Sequence, residues 1–306
     1  MRVLVLGGSG FIGSHVSELL IGLGHHVTVF HQSGGRAKNL EHIKNDFKVI
    51  RGDFNNENDL VNAVKDIDVV VHCLSSTLPG NSLSNPAYDV QMNVISSINL
   101  FDQCVKAGVK KVVFISSGGT VYGIPQEQII NESHPLNPIS PYGISKLTIE
   151  KYLSLYHYQF GLDYTILRLS NPYGPRQDAS RGQGVMAAWM SKILKNEPIE
   201  IWGDGKVIRD YIYIADAVSA IGSAVSKQSD TKVFNVGSGV GYSLLDLHAL
   251  FEQKLQKAIK INFKPMQKVD VPVNVLDIAL IEEKLGWRPS ISMENGIELL
   301  RHHHSL

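Results

Sequence analysis

Tyr142 and Lys146 stand four residues apart in Ser140-Pro141-Tyr142-Gly143-Ile144-Ser145-Lys146, at the head of a helical run. That spacing is one helical turn, so both side chains can face one site. A phenol ionises at about pH 10 in water, and an ammonium close by stabilises the phenolate, bringing the hydroxyl toward the range where it exchanges protons near neutrality. Tyr142 is therefore a candidate acid/base. A surface tyrosine beside a solvated lysine has the same spacing, so the pair must be judged by what the rest of the chain supplies.

The start of the chain supplies a nucleotide-binding pattern. Residues 3–6 form a continuous apolar run, as a strand buried on both faces requires, and Phe11, Ile12, Val16, Leu19, Leu20 and Leu23 then recur at helical spacing. Residues 26–30 read as the next strand, so the chain opens with a strand, a helix and a second strand. The first turn carries Gly7, Gly10 and Gly13. Glycines there allow a tight turn, close approach of backbone to a pyrophosphate and close packing of helix on strand, with the phosphate at the helix N-terminus. The flanking strand and helix are the context that dinucleotide binding requires.

The alternation continues. Residues 47–50, 68–74, 111–115 and 163–169 read as strands, while 59–65, 86–107 and the run after Tyr142 read as helices, which predicts a mostly parallel sheet covered on both faces. The strand at 111–115 ends in Ser116, Ser117, Gly118, Gly119 and Thr120, and ligands in open α/β sheets bind beyond the carboxyl ends of strands. Past residue 172 the pattern loosens: a polar loop at 177–184, a helix at 185–195, a short strand at 210–214, a glycine turn at 235–239 and short helices at 278–285 and 293–300. The expectation is a dinucleotide-binding domain at 1–171 and a smaller substrate lobe at 172–306, with segments of the latter returning to the former.

Lys+Arg and Asp+Glu both total 29 in 306 residues, a zero net charge that favours neither nucleic acid nor a membrane surface as partner. No apolar stretch approaches bilayer length, and the run at 3–6 is too short for a signal-peptide core. Cys73 and Cys104 lie in apolar runs, which suits reduced thiols better than a disulfide or a metal site, so a cytoplasmic protein without a metal centre is expected. His302, His303 and His304 read as a frayed tail.

Together these features resemble the extended short-chain dehydrogenase/reductase family, in its nucleotide-sugar epimerase and dehydratase branch, over nearly the whole chain. Gly7-x-x-Gly10-x-x-Gly13 is similar to the cofactor fingerprint, Val121-Tyr122-Gly123 to the segment before the active site, and Tyr142-x-x-x-Lys146 to the catalytic pair. Asn171-Pro172-Tyr173-Gly174-Pro175, Trp202-Gly203-Asp204-Gly205, Arg209-Asp210-Tyr211 and Phe234-Asn235-Val236-Gly237 are similar to the substrate-lobe signatures. The resemblance implies an α/β fold: a Rossmann-type doubly wound parallel sheet with a smaller C-terminal α/β substrate lobe. It implies NAD along Gly7, Gly10, Phe11, Ile12 and Gly13, with Asp53 and Phe54 toward the adenine, Leu74, Ser75, Ser76 and Ser116 along the cofactor, and Asn93 on the helix behind. Tyr142 would move the proton of a sugar hydroxyl while the nicotinamide takes or gives a hydride, with Lys146 on the ribose. Asn171, Arg209 and Asp270 would serve the nucleoside-diphosphate sugar. A homodimer packed through helices 86–107 and 140–160 is implied as well, using apolar positions such as Ile98, Phe101, Leu147, Leu153 and Leu155.

Three departures from that family matter. The acidic residue that takes the adenosine ribose is absent after the second strand, where His31 and Arg36 stand instead; these could accept a 2′-phosphate, which leaves NADP open beside NAD. The catalytic hydroxyl, four residues before the tyrosine of Val-Tyr-Gly, falls on Gly118, so Ser117 or Thr120 must provide it. The usual diphosphate arginine is replaced by Gln267, next to Lys268. Dehydratase relatives carry an Asp-Glu pair, and decarboxylase relatives an acidic residue, where this chain has Gly119-Thr120. Inversion at C4 takes one hydride out and returns it to a turned ketose, and needs neither. The expectation is 4-epimerisation of a UDP-hexose or UDP-N-acetylhexosamine, with an NADPH-dependent 4-reductase or a non-catalytic dinucleotide-sensing scaffold as alternatives. Asn274 falls where relatives gate the sugar pocket. It is smaller than the tyrosine that restricts some of them to plain hexoses, and its amide could hold an N-acetyl group.

Overall fold

A computed structural model of the chain describes residues 1–32, 38–80, 82–181, 184–265 and 271–304, so Arg36, Gln267, Lys268 and Asp270 lie outside the described residues. The chain opens with β1 (Arg2–Leu6), α1 (Phe11–Gly22), β2 (His26–Gln32), β3 (Lys48–Gly52), α2 (Glu57–Val64) and β4 (Val69–His72). α3 (Pro86–Asp89) runs through a π turn (Val90–Ile95) into α4 (Ser96–Ala107), where the sequence predicts one regular helix. β5 (Lys111–Ser117), α5 (Pro141–Phe160), β6 (Asp163–Leu169) and β7 (Asn171–Tyr173) follow. The remainder is α6 (Val185–Leu194), β8 (Ile199–Trp202), β9 (Ile208–Tyr213), α7 (Ile214–Ser226), β10 (Val233–Val236), β11 (Gly241–Ser243), α8 (Leu244–Leu255), β12 (Ile261–Lys264), β13 (Val273–Asn274), α9 (Ala279–Leu285) and α10 (Met293–His303).

The helix that carries Tyr142 is bounded by its own sequence. The Ser140 hydroxyl accepts the Gly143 N–H at 3.2 Å with Pro141 in the first turn, and the helix stops at Gly161, whose φ of 71° strains any residue with a Cβ.

Seven parallel strands form the main sheet in the order β10-β6-β5-β4-β1-β2-β3. β10 comes from the second half of the chain, pairing Val233 with Ile166 and Val236 with Leu169. Strand residues alternate between two cores: Val3, Val5, Val71 and Val113 pack on one face with α1 and α7, and Leu4, Leu6, Val70 and Phe114 on the other with α4 and α5. Phe101 and Leu153, expected at a contact between two copies, are fully buried in this second core, because the inner faces of α4 and α5 need them against the sheet. Strand order reverses between β1 and β4, the switch point at which such sheets hold ligands. A smaller sheet, β11-β9-β13 with β7 on β9, and the β12-β8 pair complete the fold. Among the described residues no helix is long and apolar enough to cross a membrane, and no group of three or more His, Cys, Asp or Glu side chains could hold a metal ion.

Candidate active site

Lys146 is buried beneath the C-terminal end of β5. Its Nζ donates to the Ile115 carbonyl at 2.9 Å and lies 4.8 Å from the centre of the Phe114 ring and 5.6 Å from that of Tyr142. Burial pulls the ammonium down to about 8, against the opposing fields of Cys73, Asp89 and Glu150. Tyr142 moves the other way: burial, reinforced by the Asp89 carboxylate, pushes the phenol up to about 12, with the Ser75 hydroxyl working against the rise. The sequence expectation of a phenol lowered by its lysine is thus not what this geometry gives. The ammonium is turned to a backbone carbonyl and to ring faces, and burial of the phenol, with the Asp89 carboxylate adding to it, sets the direction.

Residues 117–121 fold tightly because the Ser117 carbonyl accepts the N–H groups of Thr120 at 3.3 Å and Val121 at 3.1 Å. The Thr120 hydroxyl is buried with no hydrogen-bond partner in the protein, a state that costs free energy unless a ligand or water satisfies it. Ser116 is already engaged, donating to Glu150 Oε1 at 2.5 Å. Gly118 has a packing reason: a Cβ there would stand 2.5 Å from Leu276 Cδ1 and 3.1 Å from the Arg168 carbonyl. Asn274 closes this corner, fully buried, its Nδ2 on the Gly118 carbonyl at 3.1 Å and its Oδ1 without a partner.

The glycine turn between β1 and α1 faces the switch point. Gly7 adopts a φ of 72°, and a Cβ on it would meet Leu74 Cα at 3.2 Å. A Cβ on Gly13 would collide with the Gly7 carbonyl, so the turn closes only with glycine there. No side chain caps the first turn of α1, which starts from Gly10 and leaves the N–H groups around Phe11 and Ile12 for an anion. A pyrophosphate fits this cradle. Across the crevice, Asn93 accepts the Ser76 N–H at 2.9 Å and donates to Thr77 Oγ1 at 3.0 Å, fixing the segment that holds Leu74, Ser75 and Ser76. At the far edge Asp53 is exposed and accepts from Asn55, Phe54 is buried edge-on to His72 with ring centres 5.3 Å apart, and His31 is buried with Nδ1 on the Gln32 carbonyl at 3.0 Å.

On the substrate side, Asn171 donates Nδ2 to the Asp210 carbonyl at 2.8 Å. Arg209 sits in β9 opposite Tyr242 of β11 and Asn274 of β13, with Nη1 on the carbonyls of Ile208 at 2.9 Å and Val271 at 2.6 Å. The sheet therefore brings Arg209, Asn274 and residues 118–120 to one corner, while His31 and Asp53 stand at the distant edge formed by β2 and β3.

Two groups escaped the sequence reading. Asp89 is wholly buried and accepts from Thr77, Asn93 and Ser145. Glu150 and Arg168, both 4 % exposed, form a buried pair at 2.7 Å; Arg168 also donates to the Tyr122 hydroxyl at 3.0 Å, and Tyr122 to Asn235 Oδ1 at 2.6 Å. The local signal was present in the spacing, since Asp89 and Asn93, like Lys146 and Glu150, are one helical turn apart.

The family model described as the NAD dependent epimerase/dehydratase family matches residues 3–237. A putative UDP-glucose 4-epimerase of Methanocaldococcus jannaschii is 36% identical over 298 residues, covering 97% of this chain and 96% of its own. The crystal structure of a UDP-glucose 4-epimerase from Thermotoga maritima with UDP-glucose superposes with a TM-score of 0.94 at 36% identity, covering 100% of this chain and 99% of that one. A UDP-N-acetylglucosamine 4-epimerase from Methanobrevibacter ruminantium in complex with UDP-N-acetylmuramic acid superposes with a TM-score of 0.92 at 31% identity, covering 99% and 98%.

Proposed function

The chain belongs to the NAD-dependent epimerase/dehydratase family, and within it we propose that it inverts C4 of a UDP-hexose or UDP-N-acetylhexosamine through a transient 4-keto sugar. The observation that carries this reading is the loop at 118–120: next to an intact Tyr142 and Lys146 it offers a buried, unpartnered Thr120 hydroxyl and no carboxylate with which to eliminate water or assist a decarboxylation.

Gly7, Gly10 and Gly13 would hold the pyrophosphate of NAD, Asp53 its adenosine end, and Ser75, Ser76 and Lys146 the part nearer the sheet centre. When bound, NAD supplies the hydride acceptor for C4 and a positive charge that favours the phenolate. Tyr142 takes the proton from the sugar 4-hydroxyl and returns it to the inverted alcohol, and Thr120 bridges the sugar oxygen and the phenol. Lys146 keeps a positive charge beneath the ring and anchors α5 to the Ile115 carbonyl. Arg209 and Asn171 bind the diphosphate through charge-assisted bonds, and Asn274, whose Oδ1 is a buried acceptor without a donor, takes the N–H of a 2-acetamido group.

Heating the purified protein and identifying the released dinucleotide by mass spectrometry tests the reading. Retained NAD, with turnover of UDP-galactose or UDP-N-acetylgalactosamine that needs no added reductant, is expected. Consumption of NADPH with net reduction of a keto sugar would establish the reductase alternative, and an empty, inert protein the scaffold.

The same reading includes a homodimer through the outer faces of the π turn, α4 and α5, where Ile95, Leu155, Tyr158 and Phe160 are exposed. Light scattering at micromolar concentration should return twice the chain mass of 33.7 kDa. A monomer mass removes this part.

A further inference from the structure

Four charged side chains are buried around the head of α5: Lys146, Glu150, Arg168 and Asp89. Arg168 and Glu150 satisfy each other, through Nη2 and Oε2 at 2.7 Å and through Nε at 3.2 Å. One cation and one anion are left, Lys146 and Asp89. Asp89 has no exposed surface and makes no ion pair among the described residues. What it receives is three side-chain hydrogen bonds, from Thr77 Oγ1 and Asn93 Nδ2 on Oδ1 and from Ser145 Oγ on Oδ2. Thr77 Oγ1 is itself the acceptor for Asn93 Nδ2 at 3.0 Å, so its own proton is directed at Asp89. All three of these hydrogen bonds converge on the two carboxyl oxygens, from three separate stretches of the chain. A carboxylate so deep requires a compensating charge. Lys146, the residue after Ser145, is the buried cation of this cluster that makes no ion pair among the described residues, and the Asp89 carboxyl acts on both it and Tyr142.

We propose that Asp89 is the counter-charge of Lys146 and a positioning residue for the Tyr142–Lys146 pair, tying Ser145 of α5, Thr77 beyond β4 and Asn93 of the π turn to one buried carboxylate. The π turn has a part in this. Within it the Asn93 carbonyl accepts from Ser97 Oγ at 2.6 Å as well as from the Ser96 N–H, and the Asn93 side chain spans Ser76, Thr77 and Asp89. Lys146 is faced by Asp89 from α3, Cys73 and His72 from the end of β4, and Glu150 from α5; Tyr142 is faced by Asp89 and Ser75.

A negative charge at Asp89 opposes the phenolate and favours the ammonium. The substitution Asp89→Asn removes that charge at nearly constant shape, so the phenol ionises at lower pH and the ammonium also loses its proton at lower pH. In the holoenzyme, both limbs of the pH–rate profile for UDP-sugar epimerisation therefore move to lower pH in Asp89→Asn, by about one unit. Ser145→Ala and Thr77→Val delete hydrogen bonds but no charge. They lower the rate and leave the limbs in place. Limbs that stay put in Asp89→Asn, or that move equally in the two hydroxyl variants, overturn the proposal.

The kinetic arm rests on the epimerase reading; a second arm does not. The tyrosinate absorbance that disappears in Tyr142→Phe belongs to Tyr142, and its midpoint should fall in Asp89→Asn whatever the substrate is. An unmoved midpoint contradicts the counter-charge even if the enzyme turns over. Should Asp89→Asn alone not fold, the double variant Asp89→Asn/Lys146→Met should, since both charges then leave together. A double variant no better than the single one counts against the pairing.

Discussion

Asn274 of β13 donates its side-chain amide to the carbonyl of Gly118 at 3.1 Å, and two residues further on Leu276 occupies the space where a side chain on Gly118 would go. A strand near the end of the chain thus shapes the loop after β5 from which a catalytic hydroxyl would ordinarily project. Because Asn274 also pairs in register with Arg209, the same short strand links that loop to the arginine proposed to hold the diphosphate.

Gly118→Ser places its Cβ 2.5 Å from Leu276 Cδ1, so it should destabilise the protein by about 1–3 kcal/mol through overpacking, read as a lower urea midpoint. Leu276→Ala in the same chain opens the space and should recover most of the loss relative to the sum of the two single changes. Strict additivity would show that Leu276 is not what excludes a side chain at 118.

Thr120→Val removes the buried, unpartnered hydroxyl while keeping its volume. If Thr120 contacts the sugar oxygen as the proton moves, kcat should drop by roughly tenfold with a smaller change in KM. Ser117→Ala serves as the comparison. Should kcat survive in both, Tyr142 reaches the sugar without a relay.

Asn274→Tyr fills the corner next to Gly118 and should lose the N-acetylated substrate selectively, by about 1.4 kcal/mol or more, which is tenfold in the ratio of kcat/KM values. Equal loss of both substrates would instead indicate a packing defect, and a wild-type enzyme inert toward UDP-N-acetylhexosamines would remove the role given to its Oδ1.

His72 stands between Phe54 and Phe114, its Nε2 3.0 Å from Ser97 Oγ, and burial pulls it down to about 3, with Lys146 adding to the effect. The unfolded chain binds a proton at this histidine near pH 6.5 and the folded one does not, so stability is complete above about pH 6.5 and falls as pH drops toward 3, by up to about 1.4 kcal/mol per unit. Urea unfolding at a series of pH values above about 4.5 should show this slope, and His72→Gln should flatten it. An equal slope in the variant would assign the acid sensitivity to other groups.

Local patterns carried much of this in the sequence. The β1–α1 turn was legible because strand, glycine spacing and helix lie within two dozen residues, and Tyr142 and Lys146 because one helix sets their relation. Asp89 showed only its one-turn spacing to Asn93, because its meaning comes from Thr77 and Ser145, 12 and 56 positions away, the latter brought to it by the packing of α3 on α5. Phe101 and Leu153 were misassigned to a surface contact for a related reason: an apolar stripe says that a helix face is covered, not by what. The packing that fixes Gly118 was invisible too, since Leu276 reaches it from the far end of the chain.

The central claim is that Tyr142 carries the proton in an inversion at C4. The most direct measurement incubates wild type and Tyr142→Phe with UDP-galactose, without added reductant, and follows the appearance of UDP-glucose, while bound dinucleotide is quantified in both. The account predicts that wild type brings the two sugars to equilibrium, and that Tyr142→Phe retains its dinucleotide but is slower by roughly a hundred- to ten-thousand-fold. A Tyr142→Phe variant that epimerises at near wild-type rate would contradict it.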